Sequence, residues 1–175
     1  VKVRDNLSVI SLSFALEDPD APVIWRGSMK MGAIRQFLAD VEWGELDYLL
    51  IDTPPGTGDE QLTVCQSIPE LTGTIIVTTP QDVAILDARR SVNFSRKLGV
   101  AIIGVIENMS GLVCPNCKTE IPIFGKGGGR RMCQEMHVPF LGEVPMEMDL
   151  RIAEDEGKDW SHEGVSHPSQ KALRE

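Results

Sequence analysis

Short apolar runs alternate with longer amphipathic stretches along the chain, a pattern typical of a parallel sheet covered by helices. The apolar and β-branched runs predict strands at 7–14, 46–51, Thr74–Thr78, 100–107 and 138–142. Between them, apolar residues spaced three and four apart predict helices at 29–41, 61–68, Asp82–Leu98 and Gly128–Met136. The expected fold class is therefore α/β, with a mostly parallel sheet flanked by helices.

The end of the chain departs from this alternation. From Gly157 onward the residues are polar and show little apolar spacing. No repeat, low-complexity segment or Pro/Gly/Ser linker divides the rest of the chain. We therefore expect one domain at 1–156 and a polar, loosely held tail at 157–175.

Composition narrows the classes of protein that fit. With 42% hydrophobic residues in 175, the chain can bury one sizeable core. A net charge of -9 argues against binding to nucleic acid phosphates. The longest apolar run, 100–106, is much shorter than the roughly 20 residues of a membrane helix, and the first residues do not form a signal peptide. We expect a cytoplasmic protein that binds neither nucleic acid nor membrane.

The predicted strand at 46–51 ends at Asp52, which a Pro-Pro-Gly turn at 54–56 follows. Open α/β sheets bind ligands at the carboxyl ends of their strands. A carboxylate at that position can hold Mg²⁺ beside nucleotide phosphates, and the backbone N–H of Gly56 can point at a terminal phosphate. The alternative is an aspartate that only caps the turn.

Asn108 follows the strand predicted at 100–107, so we place it at the same edge of the sheet. A side-chain amide donates and accepts hydrogen bonds together, which suits the edge of an adenine base. The alternative is a local Asx turn, and taken by itself the residue pattern favours that turn.

Two of the four cysteines, Cys114 and Cys117, form a C-x-x-C pair just beyond Asn108. Zinc and iron–sulfur clusters take four protein ligands, so one chain supplies half a site. Cys65 and Cys133 stand singly in helix-like contexts, and the same pair from a second copy across a twofold axis completes the site most economically. A structural zinc site remains an alternative. A thioredoxin-like redox motif would need a helix to start at the cysteines.

A run of glycines at 125 and 127–129 looks like a phosphate loop but does not match G-x-x-x-x-G-K-S/T, and no other part of the sequence does. We expect the glycines to free the backbone before the helix predicted from Gly128. A secondary anion site at that helix start stays open as an alternative.

Several motifs occur in order and together resemble the Mrp/ApbC (Nbp-type) family of MinD-like P-loop ATPases. They are the stretches at 25–31, 43–48, 52–59 (DTPPGTGD), 107–110 (ENMS), 114–117 (C-x-x-C) and 140–145 (FLGEVP). The resemblance runs from about residue 3 to residue 153 and implies a MinD-like P-loop NTPase fold.

This family resemblance implies an ATP-dependent carrier that binds a 4Fe–4S cluster between two subunits and passes it to apo iron–sulfur proteins. Cys114 and Cys117 would bind the cluster and mediate a homodimer. Asp52 would be the acid on the Mg²⁺ side, Asn108 would contact adenine and Pro145 would flank the base.

The sequence departs from the family pattern in one respect. The family's phosphate loop, first strand and first helix would precede residue 1, so the resemblance implies ATP hydrolysis for the complete family member and leaves it open for this chain. Two competing hypotheses are a MinD/ParA-type positioning ATPase and a zinc-stabilised interaction module. Membrane-bound positioning ATPases end in a basic amphipathic helix, which residues 157–175 do not resemble.

Overall fold

The structure is a computed structural model that describes residues 1–16, 18, 24–117, 119–158, 160 and 167–174. Its strands are β1 (Lys2–Arg4), β2 (Leu7–Ser8), β3 (Thr74–Thr78), β4 (Ile102–Val113), β5 (Glu120–Ile121) and β6 (Phe140–Met146). Its helices are α1 (Gly27–Ala39), α2 (Asp59–Ser67), α3 (Asp82–Leu98), α4 (Gly128–Met136), α5 (Met148–Asp155) and α6 (Pro168–Arg174), with a 3₁₀ turn at Leu12–Ala15. The predicted α/β class is confirmed.

The main sheet is built around β4. Strands β3 and β6 pair with it in parallel on either side, and the short β5 pairs with its end in antiparallel fashion. Strand β3 ends where Thr78 pairs with Glu107, whereas β4 runs on past that point to Val113. The second half of β4 therefore extends beyond the carboxyl end of β3.

Helices α3 and α4 cover one face of this sheet and form the core with it. The buried residues of this core are Ile76, Ile85, Ala88, Val92, Val105, Met132 and Cys133. Helix α3 ends at Leu98 because Gly99 adopts a left-handed φ of 71°, a conformation that glycine takes without steric cost. The bounds predicted for β3, α3 and α4 match the structure.

The opposite face of the sheet is less covered in the described chain. Side chains alternate between the two faces of a strand, so Ile76 and Thr78 of β3 are buried while Ile75 and Val77 point the other way. Ile75 is 49% exposed and Val77 is 60% exposed. Helices α1 and α2 pack mainly against each other, whereas α3, α4 and α6 pack on the sheet.

The prediction of a strand at 46–51 is wrong. This segment has no regular structure, and Tyr48 and Leu50 are each 85% exposed. A run of apolar residues becomes a strand only when a neighbouring strand pairs with its backbone. Among the described residues no strand pairs with 46–51, so its apolar pattern is not expressed as a strand.

Several other strands and helices begin or end at residues that differ from the predicted bounds. The run at 7–14 is not one strand, because a turn at Asp5–Asn6 pairs β1 with β2 and a 3₁₀ turn follows. The strand predicted at 100–107 continues to Val113, and the one predicted at 138–142 occupies Phe140–Met146. Helices α1 and α2 each begin two residues before their predicted starts.

The polar tail contains an element that the sequence pattern did not predict. Helix α6 packs on β6, and its Ser169 is fully buried. Ser169 donates through its backbone N–H to Glu147, and the indole of Trp160 donates to the Ser169 hydroxyl over 3.0 Å. The described part of this tail is thus held by polar hydrogen bonds. The domain boundary at 156 stays a prediction. No helix of the described chain has the length and apolar character needed to cross a membrane.

Candidate functional site

Cys114 and Cys117 lie in the turn of a β-hairpin, which we call the cysteine hairpin (residues 112–117 and 119–121). Its two strands are the end of β4 and β5, paired at Leu112 with Ile121 and at Val113 with Glu120. The backbone N–H of Cys114 closes the turn by donating to the carbonyl of Thr119 over 3.0 Å. Among the described residues around the pair no helix starts, which counts against a thioredoxin-like redox motif.

The two thiols differ in their surroundings. Cys117 is exposed and Cys114 is half-buried. The hydroxyl of Thr119 lies 3.3 Å from the Cys117 sulfur. Hydrogen bonds from the Thr119 hydroxyl and backbone N–H, with a smaller contribution from Cys114, lower the pKa of Cys117 to about 7. The thiolate, which is the form that binds metals, is therefore well populated at neutral pH.

The described residues offer this pair no further protein ligand. They contain no group of three or more His, Cys, Asp or Glu side chains that could hold a metal ion. Cys133 is buried in the core and Cys65 is half-buried on α2, and burial raises the pKa of both thiols. The donor set is two thiols, half of what zinc or an iron–sulfur cluster requires.

Asn108 and Pro145 are neighbours across two strands, as the register pairs Asn108 of β4 with Val144 of β6. Pro145 therefore lies near the carboxyl end of β6. Asn108 lies on β4, the strand that leads into the cysteine hairpin, one residue past the point where β3 ends. The Asn108 side-chain oxygen accepts from the backbone N–H of Met109, the next residue, over 2.9 Å. An Asx turn would instead bond the backbone two residues on, so this contact is not the turn considered as an alternative. Contact of Asn108 or Pro145 with a base stays a prediction.

Asp52 and Gly56 lie in an exposed loop between the irregular segment and α2. Gly56 has a left-handed φ of 100°. The side chain of Gln61 ties the loop to α2 by donating to the Pro54 carbonyl and accepting from the Gly58 N–H.

The structure does not join this loop to the cysteine hairpin. Across the described residues, no hydrogen bond or ion pair links Asp52 to β4 or to the hairpin. In the described chain Asp52 does not follow a paired strand. Its position at the edge that carries Asn108 and the thiols stays a prediction. The Mg²⁺ role of Asp52 and the phosphate role of Gly56 stay predictions.

The secondary anion site left open at the start of α4 is occupied by the protein itself. The carboxylate of Glu107, which is fully buried, accepts from the backbone N–H groups of Gly127 and Gly129 over 2.8 and 2.6 Å. Sequence reasoning missed Glu107 as a functional candidate. The available signal was a charged residue ending an apolar run, with a glycine run about twenty residues later.

Comparison with known proteins shows the family to which the chain belongs. A family model described as ParA, NUBPL iron-transfer P-loop NTPase, matches residues 1–175. A protein named iron-sulfur cluster carrier protein from Methanocaldococcus jannaschii is 54% identical over 157 residues, covering 90% of this chain and 54% of the relative. A protein of the same name from Methanococcus maripaludis is 52% identical over the same shares. The chain thus spans about half the length of these curated relatives.

Solved structures show the same fold. A nucleotide-binding protein from Archaeoglobus fulgidus, solved in complex with ADP and found to contain Co, is 36% identical with a TM-score of 0.66, covering 81% of this chain and 60% of that one. The cell division ATPase MinD from Pyrococcus furiosus is 20% identical with a TM-score of 0.58, covering 82% and 54%, and shows the fold alone. The chain therefore belongs to the ParA/NUBPL family of iron-transfer P-loop NTPases.

Proposed function

We propose that this chain is an iron–sulfur cluster carrier in which Cys114 and Cys117 bind one side of a 4Fe–4S cluster. A second copy supplies the same pair, and the shared cluster is then passed to apo iron–sulfur proteins. The observation that carries the proposal is the thiol pair in the turn of an exposed hairpin, with no further protein ligand in the described chain. The names of the curated relatives support it.

The geometry suits a cluster that is carried and released. A cluster shared by two subunits loses half of its protein ligands when the subunits part, so release needs no unfolding of either chain. The exposed thiol of Cys117, with a pKa of about 7, provides a thiolate for the cluster at neutral pH. The hairpin also lets a recipient protein approach the sulfur atoms from solvent.

The proposal also assigns four residues to a bound nucleotide. Asn108 and Pro145 would contact the base, Asp52 would hold Mg²⁺, and Gly56 would donate its backbone N–H to a phosphate. Catalysis of phosphoryl transfer also requires a phosphate-binding loop with a lysine, and residues 1–175 contain no G-x-x-x-x-G-K-S/T sequence. Coupling to ATP hydrolysis would therefore need a phosphate-binding loop that residues 1–175 do not supply.

Anaerobic reconstitution with ferrous iron and sulfide tests the proposal. After desalting, wild type should retain iron, sulfide and the thiolate-to-iron charge-transfer absorption. The double variant Cys114→Ala/Cys117→Ala should lose all three signals, whereas the matched control Cys65→Ala should keep them. Full retention by the double variant would overturn the ligand assignment.

Metal analysis of protein purified without oxygen separates the main alternative. A structural zinc module would contain zinc with neither iron nor sulfide, and that result would replace the proposed function.

A carrier should also pass its cluster to an apo 4Fe–4S acceptor protein, which is measured as the appearance of the acceptor's own visible circular dichroism. Failure of this transfer from a stably reconstituted cluster would contradict the carrier role.

A further inference from the structure

Glu107 is a charged side chain with no solvent exposure, located in β4 seven residues before Cys114. Its carboxylate accepts from the N–H groups of Gly127 and Gly129 and from the Ser110 hydroxyl over 2.7 Å. A buried carboxylate is costly unless its oxygens are hydrogen-bonded, and here both oxygens are. The first turn of α4 adds the positive end of a helix dipole.

The glycine run is shaped for this internal carboxylate. Gly127 has a left-handed φ of 76°. A Cβ on Gly128 would lie 2.3 Å from the carbonyl oxygen of Pro80, and one on Gly129 would lie 3.1 Å from the Glu107 carboxylate. Side chains at these positions would prevent the backbone from closing around Glu107. The motif that resembles a phosphate loop thus binds the protein's own anion.

The Ser110 bond connects Glu107 to the part of β4 that leads to the cysteines. Between Asn108 and Leu112 the pairing with β6 is irregular, and Met109 and Gly111 have positive φ values of 55° and 79°. Ser110 lies inside this bulge and is buried. Its hydroxyl donates to Glu107 and lies 3.5 Å from the Glu143 carboxylate of β6, so the bulge has a fixed internal anchor.

A second connection reaches the other strand of the hairpin. Lys126, next to Gly127, forms an ion pair with Glu120 of β5. Glu120 is the main cause of the raised pKa of Lys126, to which Glu143 and Glu107 contribute less. The Glu107 carboxylate is therefore bonded to the bulge of β4 through Ser110. It is also connected to β5, because it binds the N–H of Gly127 and the adjacent Lys126 pairs with Glu120.

We propose that Glu107 is a positioning residue that holds both strands of the cysteine hairpin, so that Cys114 and Cys117 are presented in a fixed geometry to the shared cluster. This inference rests on the proposed function and names a residue on which that site depends. Glu107 touches neither thiol, and its effect passes through Ser110 and through Lys126.

The first test substitutes Glu107→Gln, which keeps the shape but places an NH₂ group against a backbone N–H. The matched control is Glu135→Gln, on the surface of α4, which removes only an exposed ion pair with Arg89. We expect Glu107→Gln to lose a reconstituted cluster to a chelator about 10-fold faster than wild type, as for other residues that orient metal ligands indirectly. We also expect faster amide hydrogen exchange across residues 112–121, with the control unchanged in both.

A second variant avoids the buried charge, in case Glu107→Gln does not fold. Lys126→Gln removes the exposed link to Glu120, and Lys126→Arg keeps it. Lys126→Gln should speed cluster loss and alter the visible circular dichroism of the cluster without changing the thermal unfolding midpoint of the apoprotein. Lys126→Arg should match wild type in the rate of cluster loss and in the visible circular dichroism of the cluster.

The two proposals fail in different ways. If wild type holds no cluster, the proposed function fails, while hydrogen exchange of the hairpin still tests Glu107. If wild type holds a cluster but hairpin exchange and cluster loss are the same in Glu107→Gln, Lys126→Gln and wild type, the positioning role is overturned and the carrier function stands.

Discussion

At the scale of single residues, the chemistry of the site depends on which thiol the hairpin exposes. The C-x-x-C spacing predicts half a metal site at Cys114 and Cys117, because that spacing places two sulfurs within reach of one metal, and this stays a prediction. It did not predict that Thr119 distinguishes the two thiols. Nor did it predict Glu107, whose partners Gly127 and Gly129 come from another element, 20 and 22 residues later.

Thr119→Val should make Cys117 a weaker acid. The hydroxyl of Thr119 stabilises the thiolate, so its removal raises the pKa of Cys117 from about 7 toward the ordinary thiol value of about 8.5. The thiolate fraction at pH 7 falls, and alkylation of Cys117 by iodoacetamide at pH 7 becomes several-fold slower. Peptide mapping of alkylation rates from pH 5 to pH 9, on the apoprotein, measures the midpoint.

Thr72→Val, an exposed threonine away from the hairpin, is the matched control and should leave the midpoint near pH 7. An unchanged midpoint in Thr119→Val would show that the hydroxyl does not set the acidity of Cys117.

At the scale of elements, the sequence predicted best where a segment and its packing partner are both strongly patterned. Strand β3 and helices α3 and α4 have the predicted bounds because their apolar faces meet in one core. The segment 46–51 carries an equally apolar run, yet it forms no strand, since pairing depends on a neighbour that a local pattern does not reveal. Helix α6 was missed for the opposite reason. It is held by polar bonds to Glu147 and Trp160, and its sequence shows no apolar periodicity.

Gly128→Ala should destabilise the protein through the start of α4. The new Cβ would lie 2.3 Å from a backbone oxygen of Pro80, which cannot move as freely as a side chain. We expect the free energy of unfolding to fall by about 3 kcal/mol, the upper part of the range for overpacking. Urea denaturation followed by circular dichroism measures this loss.

Gly142→Ala is the control, because its Cβ would meet no atom within 4 Å and its φ is not positive. It should change the stability by no more than about 0.5 kcal/mol. Equal stability of Gly128→Ala and Gly142→Ala would contradict the close packing of the glycine run on Pro80.

At the scale of the whole molecule, the proposed ligands Cys114 and Cys117 would supply half of a cluster site, and the chain carries a net charge of -9. Two such chains repel each other over long distances, and salt reduces that repulsion. In the proposed carrier, the binding of a cluster by both thiol pairs would therefore supply much of the attraction between two copies. The cysteine spacing predicts half of a cluster site, and the pairing of two copies is proposed only from the number of ligands that a cluster needs.

Anaerobic size-exclusion chromatography with light scattering and iron analysis tests the central claim most directly. The apoprotein should elute with the mass of one 19.2 kDa chain, and the reconstituted protein should elute with twice that mass. Iron in the larger species should be about four atoms for every two chains, as one shared 4Fe–4S cluster requires, and Cys114→Ala/Cys117→Ala should remain at the mass of one chain. A full cluster bound to a species with the mass of a single chain would contradict the account.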